Sequence, residues 1–171
     1  LSWSKSNSEL AQSDPAAKKK HMCTQRPGWL TISPKRSTYK EENHRIPVDL
    51  FNVVSMDKEA GTVRVEPGVN MGMLSHYLLA RGWTLTVLPE MDDLSIGGLI
   101  NGCGVEVSSH KHGMFHNTCV AYEVLLSDGT IETATATHCL DLFRYYFLQL
   151  ASPLSSSSLF FFLLLFFLPP P

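Results

Sequence analysis

LTVLPEMDDLSIGGLINGCGVEVSSHKHGMF, residues Leu85–Phe115, sets Gly97, Gly98, Gly102, Gly104 and Gly113 beside Pro89, Glu90, Asp92 and Asp93. Glycine has no Cβ, so it adopts positive φ at little cost and lets a ligand or a second backbone approach closely. Successive exposed N–H groups in such a loop form a concavity that binds anions. The spacing points to a backbone cradle for a nucleotide pyrophosphate, with a tight turn between strands as the alternative. Neither of the two best-known phosphate loops is present. No Gly-x-x-x-x-Gly-Lys-Ser/Thr run occurs, and Gly102-x-Gly104 is followed by Val107 where a dinucleotide fingerprint needs its third glycine.

Outward from this segment the local signals are mixed α and β. Ile46–Leu50 reads as a short strand. Thr62-Val63-Arg64-Val65-Glu66 alternates, with Val63 and Val65 on one face, and Pro67-Gly68 stops it. A helix follows: Asn70 is its expected N-cap, Met71, Leu74 and Leu78 its apolar stripe, and Gly82 its C′ residue after Arg81. Leu85 and Val87 are expected on the next strand. Val120–Leu126 and Thr130–Thr133 flank Ser127-Asp128-Gly129, a hairpin signal with Asp-Gly at the turn. Strand, helix, strand, glycine loop and hairpin indicate an α+β fold, not a regular doubly wound sheet.

A chain of 171 residues suffices for one domain with a real core or for two small lobes. The net charge of −2 leaves no basic footprint for nucleic acid, and Lys18-Lys19-Lys20 is a single short solvated run. Cys23, Cys103, Cys119 and Cys139 are widely spaced with no Cys-x-x-Cys, which favours free thiols over a disulfide framework. His110, His112 and His116, with Cys103 and Cys119 nearby, lack the paired spacing of a structural zinc module. No metal is expected there; a polar loop, ligand-lining or solvated, fits better.

Three segments differ in character. Residues 1–17 are polar and Ser-rich and read as a disordered terminus, with no basic start and apolar stretch of a signal peptide. Starting on Leu1, the chain reads as a fragment or a processed product. Residues 18–143 read as folded. Residues 144–171 form a low-complexity hydrophobic tail, of which 153–171 hold only Pro, Leu, Ser and Phe. Those four are the residues encoded by codons with two leading pyrimidines, so the tail is expected to be a gene-model artefact, a pyrimidine tract read in frame. The rival is a membrane segment. Leu159–Leu168 falls short of the roughly 20 residues a spanning helix needs, while Tyr145–Leu168 is long enough but carries Pro153 and the four-serine run 155–158.

The middle of the chain resembles the delta(24)-sterol reductases, a family of flavoproteins with a PCMH-type FAD-binding domain. The matching words are Arg26-Pro27-Gly28-Trp29-Leu30-Thr31, Val63-Arg64-Val65-Glu66-Pro67, Gly82-Trp83-Thr84-Leu85, Val87-Leu88-Pro89-Glu90, Asp92-Asp93-Leu94, Gly97-Gly98-Leu99-Ile100, Ser108-Ser109-His110-Lys111 and Asp128-Gly129. The match runs from about Lys20 to Phe143. It implies two α+β lobes with FAD between them, incomplete here on the C-terminal side. Carried over by position, Pro89, Glu90, Asp92, Asp93, Ser95, Gly97, Gly98, Gly102 and Gly104 are implied to lie at the cofactor. Asp92 and Asp93 have a second reading as a solvated charge pair or a helix cap. Arg26–Trp29 holds no histidine, so the FAD is expected to be non-covalent; Trp29 packs either on a ring or in the core.

The resemblance further implies reduction of the sterol side-chain double bond, with NADPH as reductant, at the endoplasmic reticulum membrane. Lys111, His110 and His112 are proton-donor candidates by residue type only, and no catalytic residue is assigned. Two family features are missing from the sequence: the N-terminal hydrophobic anchor, and the Gly-Thr-Leu-Gly segment after Phe143 with the substrate-covering domain beyond it. The alternative reading is therefore a truncated, non-catalytic product that at most binds FAD or a partner.

Overall fold

The computed structural model describes residues 22–27, 39–102, 104–126, 129–145 and 162–167. The chain divides into two compact units, Leu1–Asp49 and Leu50–Pro171. The boundary falls inside the 18–143 segment. Residues 1–17 and Gly28–Trp29 lie outside the described residues.

In the first unit, strand β1 (Met22–Thr24) and strand β2 (His44–Ile46) pair in parallel, with helix α1 (Tyr39–Glu42) between them in sequence. The expected strand at 46–50 keeps only Ile46. Pro47 has no N–H to give a ladder, and the chain leaves the sheet there.

The second unit begins with strand β3 (Val53–Asp57) and strand β4 (Thr62–Val65), an antiparallel pair. Val63 and Val65 are fully buried and Thr62 and Arg64 are not, as alternation requires. Helix α2 (Met71–Leu79) follows. Its N-cap is Asn70, whose side chain accepts the Met73 N–H at 2.8 Å, and its buried stripe is Met71, Leu74 and Leu78. Gly82, at φ +79, comes two residues after the C-cap Ala80, one position later than expected.

Residues 83–95 form no strand. Leu85 and Val87 are buried, but the only ladder element in this stretch is an isolated bridge between Asn70 and Ser95. The chain bends at Thr86 and Val87, and among the described residues no strand pairs with this stretch. Next come helix α3 (Ile96–Asn101), helix α4 (Ser109–His112) and a 3₁₀ turn at Phe115–Thr118.

Strand β5 (Cys119–Leu125) and strand β6 (Ile131–Thr135) form the expected hairpin. The Leu126 N–H donates to Thr130 O at 2.8 Å, and Gly129 sits at φ +91; Ser127 and Asp128 are outside the described residues. Helix α5 (Leu140–Tyr145) and strand β7 (Phe162–Phe167) complete the order. Of the apolar tail, then, 162–167 is a strand; the rest beyond Tyr145 lies outside the described residues.

The sheet order is β3-β4-β7-β5-β6, antiparallel throughout, so β7 lies between the two hairpins. One face packs on α2 and α3 through Val63, Val65, Leu74, Leu78, Ile100 and Tyr122, all fully buried. Each such side chain contributes about 1.5–3 kcal/mol relative to exposure. The opposite face holds a depression of about 330 Å³ lined by Ser55, Asp57, Thr62, Arg64, Ala121, Glu123 and Thr133.

Candidate functional site

The glycine-rich segment is folded differently from the loop its sequence suggests. Gly97 and Gly98 lie in the first turn of α3, and Gly102 and Gly104 follow its last turn. A six-residue helix rises about 9 Å, so the two glycine pairs sit at opposite ends of one element. Glycine is a poor helix former, yet Ile96, Leu99 and Ile100 are buried at helical spacing, and this packing outweighs the propensity.

The N-terminus of α3 is bonded to the chain itself. The Ile96 N–H donates to Val69 O at 2.9 Å and the Gly97 N–H to Pro67 O at 3.0 Å. A Cβ on Gly97 would stand 3.0 Å from Pro67 Cβ and 3.3 Å from Pro67 O, a contact so tight that the Pro67 turn would have to give by a few tenths of an ångström. Gly97 therefore positions the helix and has no N–H left for a ligand. Gly98 is exposed, and a Cβ there would meet only Ser95 Oγ, at 3.0 Å. Gly102 is also exposed and caps α3, its N–H donating to Gly98 O at 2.8 Å. Gly104, at φ +54, would place a Cβ 2.6 Å from Phe115 Cβ, and its carbonyl accepts the Phe115 N–H at 2.9 Å. Its role is to fit the chain against the buried Phe115 ring.

Residues 89–95 brace α2. The Met71 N–H donates to Leu94 O at 2.9 Å and the Gly72 N–H to Asp92 O at 3.1 Å. These bonds satisfy two first-turn donors of α2 that no helical carbonyl reaches. Asp92 thus caps the helix with its carbonyl, the helix-cap reading in a backbone form. Pro89 is buried, while Glu90, Asp92 and Asp93 are exposed. The nine residues implied by resemblance accordingly differ in placement. Pro89 and Gly97 are packed inside, Gly104 is fitted against Phe115 and Ser95 is half-buried, whereas Gly98 and Gly102 expose bare backbone and Glu90, Asp92 and Asp93 are exposed.

The histidines do not gather. His110 Nδ1 lies 2.7 Å from Val107 O, and His110, Lys111 and His112 are exposed. Among the described residues the only His/Cys/Asp/Glu group close enough to share a metal is Glu132, His138 and Cys139, which the sequence reading passed over. Cys119 is buried between Phe115 and Tyr122, and desolvation pushes its thiol up to about 12. Hydrogen bonding with Tyr122 and Thr118 offsets this only in part.

Lys40 is a second residue the sequence did not single out. It is buried at 6% exposure, and its Nζ donates to Thr24 O at 2.9 Å and to Arg26 O. It fixes the start of the Arg26-Pro27 segment by charge-assisted bonds to carbonyls. A lysine inside a polar stretch carries no periodic signal that would reveal this.

Comparison with known proteins decides the fold. A family model described as an FAD binding domain matches residues 14–135. The chain belongs to the FAD binding domain family. It is 50% identical over 125 residues to the delta(24)-sterol reductase homolog dhcr-24 of Caenorhabditis elegans, covering 72% of this chain and 24% of that protein. It is 48% identical over 125 residues to the Homo sapiens delta(24)-sterol reductase, covering 73% of this chain and 24% of that protein. The chain thus spans about a quarter of the length of these relatives. The solved carbohydrate oxidase of Microdochium nivale superposes with a TM-score of 0.66 at 23% identity, over 95% of this chain and 32% of that one. The fold is the α+β, PCMH-type FAD-binding domain that the sequence implied. Among the described residues no helix is long and apolar enough to cross a membrane.

Proposed function

We propose that this chain is the flavin-binding part of an FAD-dependent reductase acting on the Δ24 double bond of sterol side chains. NADPH is the reductant, the FAD is held non-covalently, and the endoplasmic reticulum membrane is the site of action. The observation that carries this reading is the 48% and 50% identity, over 125 residues, to proteins named delta(24)-sterol reductases. The exposed, side-chain-free backbone at Gly98 and Gly102 supports it, since a dinucleotide's phosphates need that closeness. Bound FAD supplies hydride transfer between nicotinamide and alkene.

The chain's own residues bind and orient. Gly98, Gly102 and Ser95 offer the contact surface. Gly97 and Gly104 hold α3 against Pro67 and Phe115, and Pro89, Glu90, Asp92 and Asp93 shape the approach from the α2 side.

The test is Gly98→Val in the longer reductase that carries this segment. Valine at an exposed helical position is no worse a helix former than glycine, and its Cβ meets only Ser95 Oγ, the end of a short side chain. Flavin occupancy should fall more than about tenfold, by the steric logic of an approach only glycine permits, while the melting temperature holds. Acid precipitation of the unsubstituted protein should leave all its flavin in the supernatant. Unchanged occupancy in the variant, or yellow colour in the washed pellet, overturns the corresponding assignment.

A further inference from the structure

We propose that Glu132, His138 and Cys139 form a binding site for a divalent cation of the zinc type at the junction of β6 and α5. The ligand atoms of all three side chains lie within 4.8 Å of one another, and Cys139 Sγ is 3.9 Å from Glu132 Oε2. Sulfur and oxygen ligands on one tetrahedral zinc are about 3.5 Å apart, given Zn–S and Zn–O bonds of about 2.3 and 2.0 Å. The observed pair needs to close by only a few tenths of an ångström.

The frame is set without the metal. Thr135 N donates to His138 O at 2.8 Å, and Thr135 Oγ1 accepts from the backbone N–H of His138 at 3.0 Å and of Thr137 at 3.3 Å. Cys139 O accepts the Phe143 N–H at 3.0 Å. The two adjacent ligands are therefore pinned from the strand on one side and the helix on the other. Glu132 is held in the β5–β6 ladder opposite Val124.

The donor set selects the ion. Thiolate, imidazole and carboxylate together suit zinc, while calcium and magnesium require oxygen ligands throughout. One thiolate, one carboxylate and a neutral imidazole balance a double positive charge. Three protein ligands leave a fourth position for water. His138 is exposed and Glu132 and Cys139 are half-buried, which gives a cation an entry path. None of the glycine-segment residues takes part, so the site is independent of the proposed flavin function.

The experiment is a titration of the whole chain, thiols reduced, with cobalt(II) chloride as a spectroscopic substitute for zinc. One equivalent should bind and give thiolate-to-cobalt charge-transfer absorption, which zinc then abolishes by displacement. Cys139→Ser should remove that absorption, and Cys23→Ser should leave it. His138→Ala and Glu132→Gln should each weaken cobalt binding at least about tenfold, since even residues behind a ligand have effects of that size. A second measurement needs no variant: zinc should slow iodoacetamide labelling of Cys139, mapped by mass spectrometry, and leave Cys23 labelling unchanged. Absence of the absorption, its survival in Cys139→Ser, or a Cys139 labelling rate indifferent to zinc overturns the proposal.

Discussion

Cys119 couples the core to pH. Its thiol is buried at 5% exposure and its Sγ donates to Phe115 O at 3.9 Å. Burial raises the folded pKa to about 12 from the ordinary 9.0, because a thiolate there would lose its hydration. The unfolded thiol therefore gives up its proton first. The stabilising contribution is complete below pH 9, falls as pH rises, and is gone above about 12. Denaturant melts between pH 8 and 11 should show a loss of stability in the parent chain that is smaller in Cys119→Ala. Equal slopes in the two proteins would refute the burial of this thiol.

At the scale of elements, α2 rests on one side chain at its start. Asn70 accepts the Met73 N–H, and Asn70→Ala should cost about 1 kcal/mol in a urea melt. A loss under a few tenths would mean the cap is redundant with the Leu94 and Asp92 carbonyls that hold Met71 and Gly72. This helix was legible in the sequence because cap, stripe and terminating glycine are all local, and so were β4 and the β5–β6 hairpin. What was not legible depended on distant partners. Leu85 and Val87 alternate in burial as a strand should, yet among the described residues no strand pairs with them. Gly97-Gly98 opposes helix formation locally, and α3 exists because Ile96, Leu99 and Ile100 find the core, with Gly97 packed tightly on Pro67. The glycine cluster correctly marked a place of close backbone approach, but at Gly97 and Gly104 the approaching group is Pro67 and Phe115. The Glu132–His138–Cys139 group was invisible because a turn, not a spacing motif, brings it together.

For the molecule as a whole, the sheet is joined by its middle strand. Arg64 on β4 and Glu123 on β5 form an ion pair, although β7 lies between their strands. The register sets Arg64 opposite residue 165 and Glu123 opposite residue 163, so the pair crosses β7 diagonally. Both side chains are about one-third exposed, at 39% and 33%. Their coupling energy in a double-mutant cycle should therefore stay at or below about 1 kcal/mol and shrink with added salt. A salt-insensitive coupling of several kcal/mol would show that the pair is sealed from water. The placement of β7 also has a consequence in time. Among the described strands it is the last to be synthesised, yet it is central to the sheet. At translation rates of about 5–20 residues per second, the nascent β3–β4 and β5–β6 hairpins wait on the order of seconds for it. Throughout that interval β4 and β5 present open edges, the period in which a neighbouring nascent chain competes for the same pairing.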